Sequence, residues 1–239
     1  MRFTGKKSGE GRTIIVRKAV VFSGGAIDRR DALEYLEKEK PEICIAADRG
    51  VRFCYQNQIT PDYIVGDFDS LAAEEETDSS PELSAFRRRG VPVDVYRPEK
   101  DMTDTDIALE KAISIGADAV CFFGATGTRL DHVFSSVFDL YKLYARGIEG
   151  SIIDGSNRIS MPVSRKIVIR KSEQYGKYVS VYPFRGEAHG VTLTGFRYPL
   201  ENADIIQGDG GLTTSNEIVA DEGIIECREG ILIVMETKD

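Results

Sequence analysis

The sequence has few of the residues that build zinc sites, and it lacks the charge of a nucleic-acid binder. Only two histidines and four cysteines occur in 239 residues, and no two cysteines form a C-x-x-C pair. This scarcity argues against a structural zinc site. Lysine and arginine number 31 against 39 acidic residues, which gives a net charge of −8. Proteins held to nucleic acid by phosphate contacts normally have a basic face, so the composition argues against that class.

Long apolar runs are also missing. No stretch reaches the ~18 consecutive apolar residues that a membrane helix needs. The basic N-terminal residues lack the apolar core of a signal peptide, and we predict that residues 1–17 form a disordered leader. Cys44, Cys121 and Cys227 lie within apolar runs, where a free cysteine behaves as a small hydrophobic residue. We therefore expect reduced thiols and a cytoplasmic protein.

The first half of the chain alternates between short apolar runs and segments with helical periodicity. The predicted strands cover 19–22, 43–47, 63–65, 91–96, 119–123 and 151–154. The predicted helices cover 28–38, 51–57, 82–89, 103–115 and 130–146. Strands that are apolar throughout and alternate with helices indicate a parallel sheet that is covered on both faces. Ligands bind such sheets at the carboxyl ends of the strands.

The second half changes character near Arg158. Short strands of alternating polarity follow one another, separated by glycine-containing turns, which is typical of a β-sandwich. The clearest predicted strands cover 166–170, 178–182, 190–194, 224–227 and 231–235. The predicted fold class is therefore an N-terminal parallel α/β sheet domain followed by a C-terminal β-sandwich domain. We place these domains at 18–156 and 157–239, with the boundary between Asp154 and Pro162.

Two aspartates follow the third predicted strand, in the sequence Gly66-Asp67-Phe68-Asp69-Ser70. If the backbone stays extended, Asp67 and Asp69 point to the same side, because side chains alternate along a strand. Two neighbouring carboxylates repel each other, and a hard cation such as Mg²⁺ would offset that repulsion. The alternative is a polar turn, since glycine and aspartate are common turn residues.

A second polar cluster runs from Pro98 to Asp106. Part of it is explained by helix initiation, because Thr103 can cap a helix whose first turn contains Asp104 and Asp106. That explanation leaves out Lys100 and Asp101. A cation beside a carboxylate after the fourth strand fits the binding of phosphate and metal.

A third cluster, Gly124-Ala-Thr-Gly127-Thr-Arg129-Leu-Asp131-His132, follows the fifth strand. Glycines at this point let the backbone approach a ligand, and the next helix begins where anions bind. Arg129 adds a planar donor that suits phosphate. His132 alone would more often be structural, but its position next to Asp131 favours a functional role.

Taken together and in order, four motifs resemble thiamine pyrophosphokinase. They are GDFDS (66–70), EKDMTD (99–104), GATGTRLDH (124–132) and TSNE (214–217). ADRG (47–50) is similar to the ADGG or ADGA motif of that family, and the resemblance extends from about Val20 to Met235. Each motif is moderately specific, and their conjunction is strong evidence.

The resemblance implies an α/β domain and a β-sandwich that work as a homodimer, with each site between the α/β domain of one subunit and the β domain of the other. It implies Mg²⁺-dependent transfer of pyrophosphate from ATP to the hydroxyl of thiamine, which yields thiamine diphosphate and AMP. The Ser215-Asn216 turn would then face thiamine.

The residue assignments combine the motifs with the resemblance. The predicted metal ligands are Asp67, Asp69, Asp48 and Asp101. The predicted nucleotide-binding residues are Gly24, Gly25, Asp48, Gly124, Gly127, Arg129 and His132. The predicted catalytic residues are Lys100, Asp101, Arg129 and Asp131, with Asp101 preferred over Asp131 as the proton acceptor. The predicted thiamine contacts are Thr103, Asp104, Ser215 and Asn216.

The sequence departs from the family pattern in the basic leader before Arg17, which that pattern lacks, and in three further features. Arg49 stands where glycine or alanine is usual, Arg52 stands where asparagine is common, and the chain has no tryptophan to stack on thiamine. Two alternatives stay open at this point. One is a Mg²⁺-dependent kinase that transfers a single phosphoryl group. The other is a non-catalytic relative that binds thiamine or a nucleotide.

Overall fold

A computed structural model describes residues 16–68, 80–96, 102–208 and 211–239. Within these ranges, six parallel strands form the N-terminal part of the sheet: β1 (Lys18–Phe22), β2 (Ile43–Ala47), β3 (Tyr63–Gly66), β4 (Val93–Val95), β5 (Ala119–Phe123) and β6 (Glu149–Ile153). Their order across the sheet is β4-β3-β2-β1-β5-β6. The described helices of this part are α1 (Arg29–Glu39), α2 (Gly50–Gln56), α3 (Pro81–Arg88), α4 (Asp104–Ser114) and α5 (Leu130–Ala145).

Side chains on the two faces of the parallel sheet form separate hydrophobic cores. Ala19 and Val21 of β1 belong to a core that includes residues of α4 and α5. Val20 and Phe22 belong to a core on the other face, with residues of α1, α2 and α3. Alternation along β1 thus supplies both faces, as expected for a parallel sheet between two helical layers.

Side-chain caps fix the starts of three helices. Asp28 accepts a hydrogen bond from the Asp31 N–H at α1, and Ser80 accepts one from the Leu83 N–H at α3. Thr103 accepts one from the Asp106 N–H at α4, as the sequence predicted. These bonds satisfy N–H groups that have no partner within the helix.

The sheet has a topological switch point between β1 and β5. The chain leaves β1 toward β2, β3 and β4, and then returns to place β5 on the opposite side of β1. The two strand ends are joined by backbone hydrogen bonds, from Ser23 N to Phe123 O and from Gly25 N to Gly124 O, both 2.8 Å. Ligands of open α/β sheets bind in the crevice at such a point.

The C-terminal part consists of strands in two sheets that share β9. The strands are β7 (Asn157–Met161), β8 (Lys166–Arg170), β9 (Tyr178–Thr194), β10 (Leu200–Ile205), β11 (Asn216–Glu217), β12 (Glu222–Glu226) and β13 (Glu229–Thr237). The first half of β9 pairs with β13, and its second half pairs with β10 and β12. Buried side chains from both sheets form a third core. The predicted fold class is confirmed.

The parallel sheet continues without a break into the C-terminal part. β7 pairs antiparallel with β6, and β13 lies between β7 and β9. The predicted domain division at 156/157 therefore falls in the turn between two paired strands, and it stays a prediction. Of the predicted leader, 1–15 lie outside the described residues, whereas the Arg17 N–H donates to Asp118 Oδ2 at 2.9 Å. None of the described helices is long and apolar enough to cross a membrane.

Candidate active site

A cavity of about 610 Å³ opens at the carboxyl ends of β1, β2, β3 and β5, beside the switch point. It lies where the sequence predicted ligands to bind. Its lining includes these residues from the predicted set: Gly24, Gly25, Asp48, Asp67, Thr103, Asp104, Gly124, Gly127, Arg129 and His132. The lining also includes Arg49, Met102, Thr105, Ala125, Thr126, Thr128, Ser135 and Ser136.

Three carboxylates converge in this cavity. Asp48, Asp67 and Asp104 each offer an oxygen, and the three oxygens lie within 4.8 Å of one another. All three side chains are half-buried. Like charges this close repel one another unless a cation offsets them, and carboxylate oxygens are the ligands that Mg²⁺ prefers. The donor set therefore fits Mg²⁺.

An unusual backbone conformation and a hydrogen bond between strand ends position Asp48 in this cluster. Asp48 has a positive φ of 46°, which is uncommon for a residue other than glycine. Its N–H donates to Val65 O at 3.1 Å, which joins the ends of β2 and β3. A Cβ atom on Gly24 would lie 3.1 Å from Asp48 Oδ2, so glycine at this position leaves room for the carboxylate.

The Gly124–Gly127 loop forms the wall of the cavity that follows β5. Gly124 has a φ of 71°, and a Cβ atom there would lie 2.6 Å from Ser23 O. The buried Ser136 hydroxyl donates to Ala125 O at 2.8 Å. A Cβ atom on Gly25 would lie 2.4 Å from Thr126 O. The loops after β1 and β5 therefore pack backbone against backbone, which explains the glycines in both.

Arg129 and Asp131 form an ion pair at the start of α5. Arg129 Nη2 lies 2.6 Å from Asp131 Oδ2, and the two side chains are 70% and 63% exposed. The hydrogen bond from Arg129 lowers the pKa of Asp131, which makes Asp131 a weaker proton acceptor. Arg129 lines the cavity, whereas Asp131 is not among the described residues of its lining.

The four predicted thiamine contacts fall in two places. Thr103 and Asp104 line the cavity, where Thr103 caps α4 and Asp104 joins the acidic cluster. Ser215 and Asn216 are not among its described lining residues. The amide of Asn216 is buried and bonded within its own chain, accepting from Tyr198 N and donating to Tyr198 O. Ser215 is exposed, with a φ of 56°.

Three predicted residues fall outside the part of the chain that the structure describes. They are Asp69, Lys100 and Asp101, and their metal-binding and catalytic roles stay predictions. Asp104 lies in the acidic cluster. It was predicted as a thiamine contact and not as a metal ligand, because its position in the first turn of a helix already explained the residue locally. Ser136, which lines the cavity and donates to Ala125 O, was not predicted as part of the site. Its sequence neighbours give no sign that its hydroxyl reaches back to Ala125 O.

Comparisons with known proteins match both parts of the chain. The family model described as "Thiamin pyrophosphokinase, catalytic domain" matches residues 34–152, and "Thiamin pyrophosphokinase, vitamin B1 binding domain" matches 164–232. The thiamine pyrophosphokinase of Bacillus subtilis is 35% identical over 197 residues, which are 82% of this chain and 88% of that protein. The chain belongs to the thiamine pyrophosphokinase family. The resemblance inferred from the motifs is confirmed.

Solved structures of this family have the same fold. A thiamine pyrophosphokinase from Bacillus subtilis superimposes with a TM-score of 0.79 at 32% identity, covering 93% of this chain and 99% of that one. One from Geobacillus thermodenitrificans gives 0.75 at 34% identity, with coverages of 93% and 98%. The yeast structure gives 0.72 at 15% identity, covering 93% and 86%, and at that identity the likeness concerns the fold alone.

Proposed function

We propose that this protein transfers pyrophosphate from ATP to the hydroxyl of thiamine, giving thiamine diphosphate and AMP, with Mg²⁺ as the cofactor. The observation that carries the proposal is the cluster of Asp48, Asp67 and Asp104 inside a cavity at the switch point. The family matches name the substrate, and the cluster supplies carboxylate oxygens that would hold the Mg²⁺ of a Mg²⁺–nucleotide complex.

Transfer of this kind depends mainly on positioning and on neutralising charge. When Mg²⁺ is bound, it acts as a Lewis acid on the phosphate oxygens. Asp48, Asp67 and Asp104 would hold it, and Asp69 and Asp101 are further candidates from the sequence. Arg129 would donate to phosphate oxygens, together with Lys100 and the backbone N–H groups of the loop at Gly124–Gly127.

The thiamine oxygen would attack the β-phosphorus of ATP. The new O–P bond forms as the bond between the β-phosphorus and the α,β-bridging oxygen breaks, and AMP leaves with that oxygen. The hydroxyl proton passes to a carboxylate late in the transfer. Asp101 is the preferred acceptor, because the hydrogen bond from Arg129 lowers the pKa of Asp131.

We further propose that the enzyme is a homodimer with shared sites. Ser215 and Asn216 are not among the described residues that line their own chain's cavity, although the family model for vitamin B1 binding spans them. One face of α5 exposes Leu130, Phe134 and Phe138 to 69%, 65% and 53%. This α5 face begins beside Arg129 at the cavity, so a second copy docked there would bring its own Ser215-Asn216 turn to the thiamine.

The thiols support a cytoplasmic enzyme. All four cysteines are free, and Cys54, Cys121 and Cys227 are buried. Burial raises the pKa of the Cys121 thiol to about 12, which keeps it protonated and unreactive. Unpaired thiols are characteristic of reducing compartments.

The test is to incubate the protein with thiamine, ATP and Mg²⁺ and to identify both products by mass. We expect thiamine diphosphate and AMP, and no product when the metal is chelated. ADP with thiamine monophosphate would instead show single phosphoryl transfer. Saturable binding of thiamine without turnover under any nucleoside triphosphate would identify a non-catalytic relative.

A further inference from the structure

Thr126, inside the Gly124–Gly127 loop, is tethered to a residue outside the cavity. Its hydroxyl donates to Asp154 Oδ2 at 2.8 Å. Asp154 follows β6, whereas Thr126 follows β5, so the bond crosses between the ends of two neighbouring strands. Asp154 does not belong to any of the predicted metal, nucleotide, thiamine or catalytic sets.

The carboxylate of Asp154 is held rigidly on its other side. Asp154 Oδ1 accepts hydrogen bonds from Ser156 N at 2.9 Å, Asn157 N at 2.8 Å and Asn157 Nδ2 at 2.9 Å. These bonds close the turn between β6 and β7 around the side chain. These bonds direct the remaining oxygen, Oδ2, at Thr126. They come from the β6–β7 turn, so the orientation of the Asp154 carboxylate does not depend on the Gly124–Gly127 loop.

The backbone of Asp154 is also anchored from the C-terminal part of the chain. The Tyr175 hydroxyl lies within hydrogen-bond reach of both Asp154 O and Asp31 Oδ2. Lys238 Nζ lies 4.2 Å from the centre of the Tyr175 ring, which adds a cation–π contact. Asp154 is therefore joined to α1 and to the segment before β9 at the same time.

We propose that Asp154 is a positioning residue, which acts through Thr126 to hold the Gly124–Gly127 loop in the conformation that binds the donor phosphates. This inference rests on the proposed function. Two other bonds anchor the first half of the loop, at Gly124 O and Ala125 O. The Thr126 hydroxyl anchors its second half, next to the exposed Gly127. Donors that are held in place before binding need no reorganisation when the phosphate arrives.

The test replaces Thr126 with valine, which keeps the shape of the side chain and removes the hydroxyl. The loss of one hydrogen bond should raise the KM for ATP about five-fold and leave the KM for thiamine unchanged. Amide hydrogen exchange over 124–129 in the nucleotide-free protein should become faster by a similar factor. Thr126→Ser, which restores the hydroxyl, should return both quantities to wild-type values.

A double-mutant cycle shows whether Asp154 acts through Thr126. Asp154→Asn should raise the KM for ATP in the wild-type background and change it less than two-fold in the Thr126→Val background. The matched control is Thr192→Val on β9, where the lost hydroxyl accepts from Asn202 N at 3.1 Å in the second sheet. We expect this control to lower stability without changing the KM for ATP or the exchange of the loop.

Two results would overturn the proposal: a wild-type exchange rate over 124–129 in Thr126→Val, or the same change in KM for ATP in Thr192→Val. Because exchange is measured without nucleotide, it tests the tether even if the protein proves to have no pyrophosphate transfer activity. Absence of AMP formation in the wild-type protein would overturn the proposed function and leave the exchange result interpretable.

Discussion

The acidic cluster brings together carboxylates from three separate segments of the chain. The oxygens of Asp48, Asp67 and Asp104 lie within 4.8 Å of one another. Asp48 follows β2, Asp67 follows β3, and Asp104 is the first residue of α4. Because each carboxylate comes from a separate segment, the cluster forms only when the sheet and α4 have packed. Its mutual repulsion is a cost to the metal-free fold that a bound cation would remove.

From this repulsion we predict two effects of Asp67→Asn, one on activity and one on thermal stability. The variant should lose AMP formation by about 100-fold or more, since a metal supplies several kcal/mol of charge stabilisation. It should also melt at a slightly higher temperature than the wild type when no metal is present, because one repulsive charge is gone. Product formation across a Mg²⁺ titration and thermal melting in chelator measure the two effects.

Asp118→Asn is the matched control, because Asp118 is exposed and accepts from Arg17 N on the opposite end of β1. It should retain wild-type turnover. Near-normal turnover of Asp67→Asn at saturating Mg²⁺ would exclude Asp67 as a metal ligand.

Arg49 is the residue of the cavity that departs most clearly from the family motif. It lines the cavity directly after Asp48, which belongs to the acidic cluster. Arg49→Ala, which restores a residue that is usual in the family, should raise the KM for ATP about ten-fold through the loss of a charge-assisted hydrogen bond. The KM for thiamine should not change.

Arg52→Gln is the control for Arg49. Arg52 lies one turn further along, with its Nε 3.5 Å from Glu82 Oε1, and it is not among the described lining residues. Steady-state kinetics with both substrates distinguishes the two variants. An unchanged KM for ATP in Arg49→Ala would show that this arginine does not contact the donor.

At the scale of elements, α4 and α5 are joined by a partly buried cluster of charged residues. Lys142 Nζ lies 3.0 Å from Asp139 Oδ1 and also contacts Asp106. The side chain of Asp139 is only 2% exposed. Burial, together with a hydrogen bond involving Asp106, raises the pKa of Asp139 to about 7. The unfolded chain would have an ordinary aspartate pKa of about 3.9.

This raised pKa predicts a loss of stability as the pH increases. Between about pH 4 and pH 7 the folded protein binds more protons than the unfolded chain, so the free energy of unfolding falls as the pH rises through that window. Asp139→Asn should remove this slope. The variant should melt about 4 °C above the wild type at pH 8, with a much smaller difference at pH 5.

Thermal melting from pH 4 to pH 8 measures the effect. Glu110→Gln is the control near the same pair of helices, because Glu110 pairs with Arg146 at 3.1 Å and their side chains are 41% and 43% exposed. It should leave the slope intact. An identical slope in Asp139→Asn and the wild type would show that Asp139 ionises normally in the folded protein.

The helices and parallel strands were predictable because their signals are local. Thr103 marks the start of α4, and Gly116 and Gly147 follow the ends of α4 and α5 with φ values of 82° and 72°. The C-terminal strands were less predictable. β7 was missed because the strand that covers its outer edge, β13, comes some 70 residues later in the chain. β9 was predicted as two strands, but Gly186 bends it without ending it.

In the candidate site, too, features with local signals could be predicted, and features that depend on tertiary packing could not. Asp48, Asp67 and the two glycine loops could be located from sequence, because each follows a strand and parallel strands end at one edge. The sequence could not show that Asp104 belongs to the acidic cluster, because that depends on how α4 packs on the sheet. The position of Ser215 and Asn216 relative to the cavity could not be predicted either, because it depends on the path of the C-terminal strands.

At the scale of the whole molecule, the exposed α5 face is the surface on which the proposed dimer depends. Phe134→Glu places a charge on a side chain that is 65% exposed, so the fold of the single chain should be unaffected. Sedimentation should show a monomer at micromolar concentration. AMP formation should fall with dimerisation and should recover partly at higher protein concentration.

Tyr55→Glu is the control, because Tyr55 is exposed to 41% and lies on α2, which packs on the opposite face of the parallel sheet from α5. It should leave the sedimentation unchanged. A Phe134→Glu monomer with full activity would refute shared sites, and a wild-type dimer in this variant would place the interface elsewhere.

The position of β13 between β7 and β9 has a consequence for biosynthesis. β7 and β9 are both made before β13, so each has an unpaired edge until Glu229–Thr237 has left the ribosome. The six parallel strands can assemble earlier, but the bridge that joins them to the second sheet is inserted last. A ribosome that pauses before these residues would therefore hold a chain whose two halves are each nearly formed, with a strand-sized gap between them that another copy could fill.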